Sequence, residues 1–420
     1  MKIMQVNAVY GIKSTGRTCS EVEKALVAAG HDCITVYGNG KNDYGEKAIL
    51  IDKRAEYLFH NIASRITGWE GYFSYFATKR LIRLIKEYKP NVIHLRVLHG
   101  HYLNFPLLFN FLKDAGIPVV QHLHDCWSFT GKCGYYSQIG CEKWKTGCSK
   151  CPKVKDYPQS LFFDRTKQEY ADKKRWYSSI TNLTVIGVSD WVANEARKSF
   201  LNGCGQIIRI YNWVNQDIFK VYPDLKEEIR KEYKIPSDKF VIIGVSADWV
   251  PGTPRYEDFL KLADKIDNQT IIVMVGKTKE PINHNKIYHI PFVSNTEKLA
   301  KLYNCADVYV HASIEDTFGK VIAEALACGL PAIVYNTTGC AEIVDDSCGF
   351  KVEPRNIDQI IHSIEKIKGY RKNEYRENAV KRVDSLFSYS KNVSELIDLY
   401  EKLYRENLVS ERIHETDFSK

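Results

Sequence analysis

Short apolar runs alternate along the chain with longer stretches whose apolar residues recur every three or four positions. Residues 3–10, 33–37, 92–96, 119–123, 184–188 and 207–211 read as strands of the first half. They lack the in–out alternation of half-exposed strands, so they are expected to be buried on both faces of a sheet. Between them, residues 20–29 read as a helix ended by Gly30, and residues 77–88 as another with Leu81, Leu84, Ile85 and Tyr88 on one side. The second half repeats the scheme. Its strands are expected at 240–245, 270–275, 287–290, 308–311, 332–335 and 350–352, and its helices at 257–266, 296–303, 319–328 and 357–367. Such alternation predicts two doubly wound α/β domains, each a parallel sheet covered by helices. The simplest division is 1–212 and 213–388. A last helix, about 389–406, then packs back on the first domain and ends in a polar tail to 420. Ligands of these sheets bind at the carboxyl ends of the strands, so the expected site is a cleft between the halves.

Composition adds a few exclusions. The 420 residues suffice for two or three domains, and the net charge of +8 suits phosphate or lipid-headgroup partners without arguing for nucleic acid. No apolar run approaches the length of a membrane span, and no signal-peptide pattern follows Lys2, so the expected compartment is the cytoplasm. Residues 53–89 hold eight Lys or Arg against three acids, among many aromatic residues. Two readings stand: a solvated helix face over a core, or a peripheral seat on an anionic membrane.

The chemistry-bearing residues gather at predicted strand ends. Gly11 to Thr18 follows the first strand as a glycine-bearing turn, in which Gly16 would bring backbone N–H groups toward an anion. It misses the phosphate-binding loop of NTPases by one residue, Arg17 in place of lysine, and no later strand of this half ends in a magnesium-binding Asp. In the second half, Asp316 and Glu324 stand eight residues apart around Gly319, where a strand gives way to a helix. This spacing suits a ligand with two hydroxyl-bearing rings, and equally a capped helix with a surface glutamate. His94, His99, His124 and Asp125 lie at neighbouring strand ends of the first half. Four cysteines, Cys133, Cys141, Cys148 and Cys151, follow within an insertion at about 126–165, and Cys126 falls outside their set. They read either as a structural zinc site or as free thiols.

The stretch from Ser313 to Pro331 resembles the acid–seven–acid motif of retaining glycosyltransferases of family four, and Asn336 to Val344 resembles the loop beside their donor. The His99 and His124 loops resemble a colanic-acid-type branch of that family, and the likeness runs over most of residues 1–390. The resemblance implies a GT-B fold. It also implies transfer of a sugar, with retention, from a UDP- or GDP-sugar to a lipid-linked or oligosaccharide acceptor, in the synthesis of a bacterial surface glycan at the inner face of the plasma membrane. By that likeness His124 lies next to the reacting sugar, Asp316 contacts sugar hydroxyls and Glu324 holds the ribose. Amides around Thr338 and Gly339 face the diphosphate, with Gly319 and Glu342 nearby, while His94, His99 and Asp125 are on the acceptor side. No catalytic cofactor is implied. The family's usual diphosphate clamp, an Arg followed by Lys-Gly, is missing. The corresponding segment, 246–258, offers Arg255 alone, with Lys320 and Lys277 as further cations. A homologue that has lost this clamp would be a scaffold or partner subunit.

Overall fold

A computed structural model describes residues 1–41, 44–369 and 372–417. The chain divides into two compact units, one from Met1–Ile210 with Val393–Lys420, the other Tyr211–Asn392.

The first unit is built on a seven-stranded parallel sheet. Its strands are β1 (Lys2–Val9), β2 (Asp32–Asn39), β3 (Ala48–Leu50), β4 (Val92–Leu95), β5 (Val119–Leu123), β6 (Leu183–Gly187) and β7 (Gln206–Arg209), in the order β3-β2-β1-β4-β5-β6-β7. The central strands are apolar throughout because helices cover both faces; Ile3, Met4, Val6, Val119 and Val185 have no exposed surface. The three-residue β3 was not expected, being too short to show a pattern. The first helix, Lys13–Ala28, starts seven residues before its expected position. Gly11 turns the chain at φ 68°, and Gly16 lies inside the helix, where a Cβ would stand 3.2 Å from the Tyr10 and Gly11 backbone. The glycine-bearing turn opens directly into the helix, as expected, and Gly16 itself is buried against that backbone. Residues 53–89 form two helices, Arg54–Thr67 and Tyr75–Tyr88; the first ends at Gly68 with φ 78°. The C-terminal helix, Tyr389–Asp417, continues past its expected end at 406.

The second unit holds six parallel strands: β8 (Phe240–Trp249), β9 (Thr270–Thr278), β10 (Ile287–Ile290), β11 (Val308–His311), β12 (Ala332–Tyr335) and β13 (Gly349–Val352). Their order is β10-β9-β8-β11-β12-β13. A core of Ile242, Phe259, Ile272, Val310, Ile333 and Ile360 fills the space between sheet and helices. The buried Asp307 receives Arg230 at 2.9 Å and the Val241 amide at 2.9 Å, which ties the starts of β8 and β11 together. Strand β8 runs four residues past its expected end, through a register shift between Val245 and Asp248, because Trp249 is buried and donates its indole N–H to the Val275 carbonyl at 3.0 Å. The supposed loop 246–258 thus shrinks to a turn before the helix Pro254–Lys265, in which Pro254 takes the first-turn position where its missing N–H costs nothing. Among the described residues, no helix is long and apolar enough to cross a membrane.

Candidate functional site

In each unit the candidate residues collect at the carboxyl ends of the strands. In the first unit they surround a cavity of about 740 Å³ lined by the β1, β4 and β5 ends, the first turn of helix Lys13–Ala28, helix Arg54–Thr67, Tyr157 and Gln159. His99 and His124 open into it with Asp125 and His101. Asp125 accepts from His99 Nε2 at 2.7 Å and from the Trp127 amide at 2.8 Å. Burial by itself would raise the Asp125 pKa, but the His99 charge and hydrogen bond, the Trp127 amide and Lys173 together hold it below the usual carboxylate value. The ring of His124 lies 4.5 Å from that of His122.

His94 departs from its expected acceptor-side role. It is 0% exposed, with Nε2 3.2 Å from His122 Nδ1 and Nδ1 2.6 Å from the Tyr400 hydroxyl of the C-terminal helix. Burial, then the neighbouring Arg96 and His122, push its pKa well below the histidine norm. It is a neutral core residue that joins the C-terminal helix to the sheet, and both ring nitrogens are engaged away from the cavity. The helix that supplies Tyr400 lies some 300 positions away, so nothing around His94 in the sequence announced this.

A carboxylate–histidine pair that sequence reasoning missed takes the place of His94. Glu70 Oε2 lies 2.7 Å from His101 Nδ1, and Glu70 Oε1 accepts the amides of Gly100 and His101 at 3.1 and 3.2 Å. His101 lines the cavity at φ 64°, a left-handed conformation that these three contacts to one carboxylate hold in place. Burial opposes the charge on Glu70, but His101, His60 and the Gly100 amide outweigh it and keep the carboxyl ionised.

In the second unit Asp316 lies on the loop after β11. Its carboxylate meets His311 Nε2 at 2.9 Å, and the Tyr309 hydroxyl meets His311 Nδ1 at 3.0 Å. Burial would raise the Asp316 pKa; His311, Arg255 and Ser313 reverse this and lower it. Arg255, in the first turn of helix Pro254–Lys265, donates to Ser246 Oγ at 2.9 Å and Ser313 Oγ at 2.6 Å. The guanidinium is thus fixed beside Asp316 by two hydroxyls from neighbouring strand ends. The donor-loop expectation needs one change: the Gly339 amide donates to the Asp316 carbonyl at 3.0 Å, and a Cβ at Gly339 would lie 2.0 Å from the Thr317 carbonyl. Gly339 therefore packs the two loops together and does not offer its N–H to a ligand. Thr338 supplies Oγ1 to the Asp316 amide at 3.3 Å. Gly319, at φ 76°, precedes the helix Lys320–Ala327. Glu324 is inside that helix and 0% exposed, so it is not the surface glutamate of the alternative reading. Glu342 is part of a short turn of helix whose end is held by Arg382, which donates to the Glu342 and Ile343 carbonyls and to Asp345. Lys277 is exposed at the end of β9, with its ammonium over the Phe292 ring.

All four cysteines of the insertion are free and half-buried, and the Cys148 thiol sulfur accepts the Gly131 amide at 3.1 Å. Burial, with the nearby Cys151 and Cys148, pushes the Cys133 thiol up to about 12. Among the described residues, the sets whose ligand atoms lie within 4.8 Å of one another are His60, Glu70 and His101, and His311, Asp316 and Cys340. The cysteine set is not so gathered, whereas tetrahedral zinc with bonds of about 2.3 Å requires sulfurs within about 4 Å of each other.

Residues 15–218 match the family model of glycosyltransferase family 4, and residues 225–386 that of glycosyl transferases group 1. The putative colanic acid biosynthesis glycosyl transferase WcaC of Escherichia coli is 28% identical over 279 residues, which are 65% of this chain and 66% of WcaC. An uncharacterised glycosyltransferase of Methanocaldococcus jannaschii, MJ1607, is 24% identical over 95% of this chain and 98% of its own length. Among solved structures, Anabaena HepE in complex with UDP and glucose superposes with a TM-score of 0.66 at 15% identity, covering 96% of this chain and all of that one. The two doubly wound units make a GT-B fold.

Proposed function

From the match of the first half to the glycosyltransferase family 4 model and of the second to that of glycosyl transferases group 1, in a GT-B fold, we propose that the chain transfers a sugar from a UDP- or GDP-sugar to a lipid-linked or oligosaccharide glycan, with retention, during surface-polysaccharide synthesis. Support comes from what the relatives are called: WcaC is named a putative colanic acid biosynthesis glycosyl transferase, and HepE was solved with UDP and glucose. The observation that carries the reading is the Arg255 arrangement. Arg255 is fixed by Ser246 and Ser313 within electrostatic reach of Asp316, where the usual diphosphate clamp is missing.

The chemical task is to stabilise an oxocarbenium-like sugar and a departing diphosphate, mostly by positioning and charge. In this reading Asp316 holds sugar hydroxyls, and His311 fixes the carboxylate that does so. Glu324 takes the ribose. Arg255, with Lys320 at the helix start and Lys277 at the end of β9, offsets the diphosphate charge without calling on a metal. On the acceptor side His124 lies by the reacting sugar, while His99 with Asp125 and His101 with Glu70 present imidazoles held by carboxylates. Residues 53–89 bring the chain to the membrane.

Arg255→Ala is expected to lower turnover at least about tenfold, since one lost charge-assisted bond exceeds the 1.4 kcal/mol that a factor of ten represents. Steady-state transfer assays measure this. Near-normal transfer by the variant sinks the clamp assignment. Absence of transfer by the unmodified protein, across a broad donor and acceptor panel, points instead to a scaffold with a decayed clamp.

A structural zinc in the cysteine loop is a second element of the proposal, supported by four thiols in one irregular segment; its binding requires that loop to close around the metal. Elemental analysis of protein purified without chelator should find close to one zinc per chain. Four titratable thiols and no zinc would remove it.

A further inference from the structure

Three segments of the first unit bring one set of donor atoms together at the cavity wall. Helix Arg54–Thr67 supplies His60, the turn after it supplies Glu70, and the loop after β4 supplies His101. All three side chains are buried, and His101 also lines the cavity. Glu70 Oε2 lies 2.7 Å from His101 Nδ1 and 3.9 Å from His60 Nε2, and one donor atom of each residue falls within 4.8 Å of the other two.

Outer partners already orient these donors. The Ser74 hydroxyl donates to the His101 carbonyl at 3.1 Å and lies 2.7 Å from His60 Nδ1. Its one proton is thereby committed, so it accepts from Nδ1–H, and Nε2 keeps its lone pair. The Gly71 amide marks that lone pair by donating to it at 3.2 Å. Glu70 Oε1 accepts the Gly100 and His101 amides. Its other oxygen, Oε2, is buried and takes no hydrogen bond; His101 Nδ1 is close to it but outside hydrogen-bond geometry. A buried carboxylate oxygen without a donor is unfavourable unless a cation meets it. The comparable set in the second unit differs here, because Asp316 and His311 are joined by a formed hydrogen bond at 2.9 Å.

We propose that His60, Glu70 and His101 bind a structural divalent cation, zinc by preference, at the orphaned Glu70 oxygen. Two imidazoles and a carboxylate suit zinc better than the oxygen-seeking magnesium or calcium. Neighbouring donors of a tetrahedral zinc with N and O bonds stand about 3.4 Å apart, so the 2.7 Å contact opens and the 3.9 Å contact closes by roughly half an ångström or slightly more. The ion takes the His60 lone pair from the Gly71 amide, and a proton on His101 Nδ1 leaves to solvent. Ser64 Oγ, 3.4 Å from His101 Nδ1, or a water completes the four positions. An ion here ties the helix, its following turn and the β4 loop at one point. It fixes the left-handed turn at His101, φ 64°, and with it part of the cavity wall. The inference does not depend on the transferase reading. With three protein ligands and no thiolate, the site holds its ion less tightly than four thiolates would, so it is filled by titration after purification.

Cobalt(II), which reports its ligands through visible absorption, is titrated into the full chain carrying Cys148→Ser and Cys151→Ser, so that the cysteine loop does not compete. Binding at one site is expected, with d–d bands, no thiolate charge-transfer band, and displacement by zinc(II). Ser74→Ala, which removes only the hydroxyl that orients His60, should weaken cobalt binding about ten- to a hundredfold. His60→Gln and Glu70→Gln should abolish it, with circular dichroism confirming that each variant is folded. Crystals of the unmodified chain soaked in zinc need no variant: anomalous diffraction at the zinc edge should place a peak between His60, Glu70 and His101. No cobalt binding, or unchanged affinity in His60→Gln, overturns the site. So does a thiolate band that disappears in Cys340→Ala, which would put the metal beside His311 and Asp316, and so does a zinc-soaked crystal without a peak among the three residues.

Discussion

Replacing Glu324 by Ala is expected to weaken nucleotide binding by about a hundredfold or more. In the proposed reading Glu324 makes two charge-assisted hydrogen bonds to ribose hydroxyls; such bonds contribute on the order of 1.5–3 kcal/mol each, and every 1.4 kcal/mol is a factor of ten in affinity. The helix Lys320–Ala327 accepts Ala at an interior position on propensity grounds. The carboxylate is enclosed, however, so Ala also leaves a gap in a packed helix. Glu324→Gln separates the two effects, because it keeps the volume and removes the charge. Titration calorimetry with nucleoside diphosphates should show a loss of affinity in both variants, smaller for Gln, while thermal unfolding reports the packing cost separately. Unchanged nucleotide affinity in Glu324→Gln, with only the unfolding midpoint moved, would make Glu324 a core residue and nothing more.

His124→Ala should act on the other side of the reaction coordinate. His124 lines the first unit's cavity at the end of β5. In the proposed mechanism its contacts to the reacting sugar strengthen as charge develops, so its removal costs turnover and leaves donor affinity almost intact. Loss of one preorganised donor to a developing charge typically lowers turnover about a hundred- to a thousandfold. Turnover and donor affinity measured on the same preparation decide the matter. Equal losses in the two would show that His124 binds the ground state as tightly as the transition state, and would end its role at the reacting centre.

Much of the architecture was legible in the chain. Buried parallel strands are apolar on both faces, so each run appears without its neighbours, and twelve of the thirteen strands follow from it; the exception, β3, is three residues long. The acid pair around Gly319 could be recognised because its residues are local: Asp316 and Glu324 are set by one loop and one helix turn apiece. Element ends were less legible. Strand β8 outruns its apolar run because Trp249 finds the Val275 carbonyl on the next strand, and the first helix starts early because Gly16 can press against the Tyr10 and Gly11 backbone.

By itself the sequence determined the alternation of strands and helices, the doubly wound class, and which strand ends carry acids, histidines and the lone Arg255. Each of these follows from side-chain periodicity and from a few neighbouring residues. Tertiary structure alone decided which of those side chains face a ligand. His94 was withdrawn into the core by Tyr400, a partner 306 positions away. His101 was brought into the cavity by Glu70, a buried acid with no motif around it. Arg255 was aimed by Ser313, 58 residues further on. Burial and hydrogen-bond partnership are properties of packing between distant segments, and a polar side chain carries no mark along the chain of which distant group will meet it.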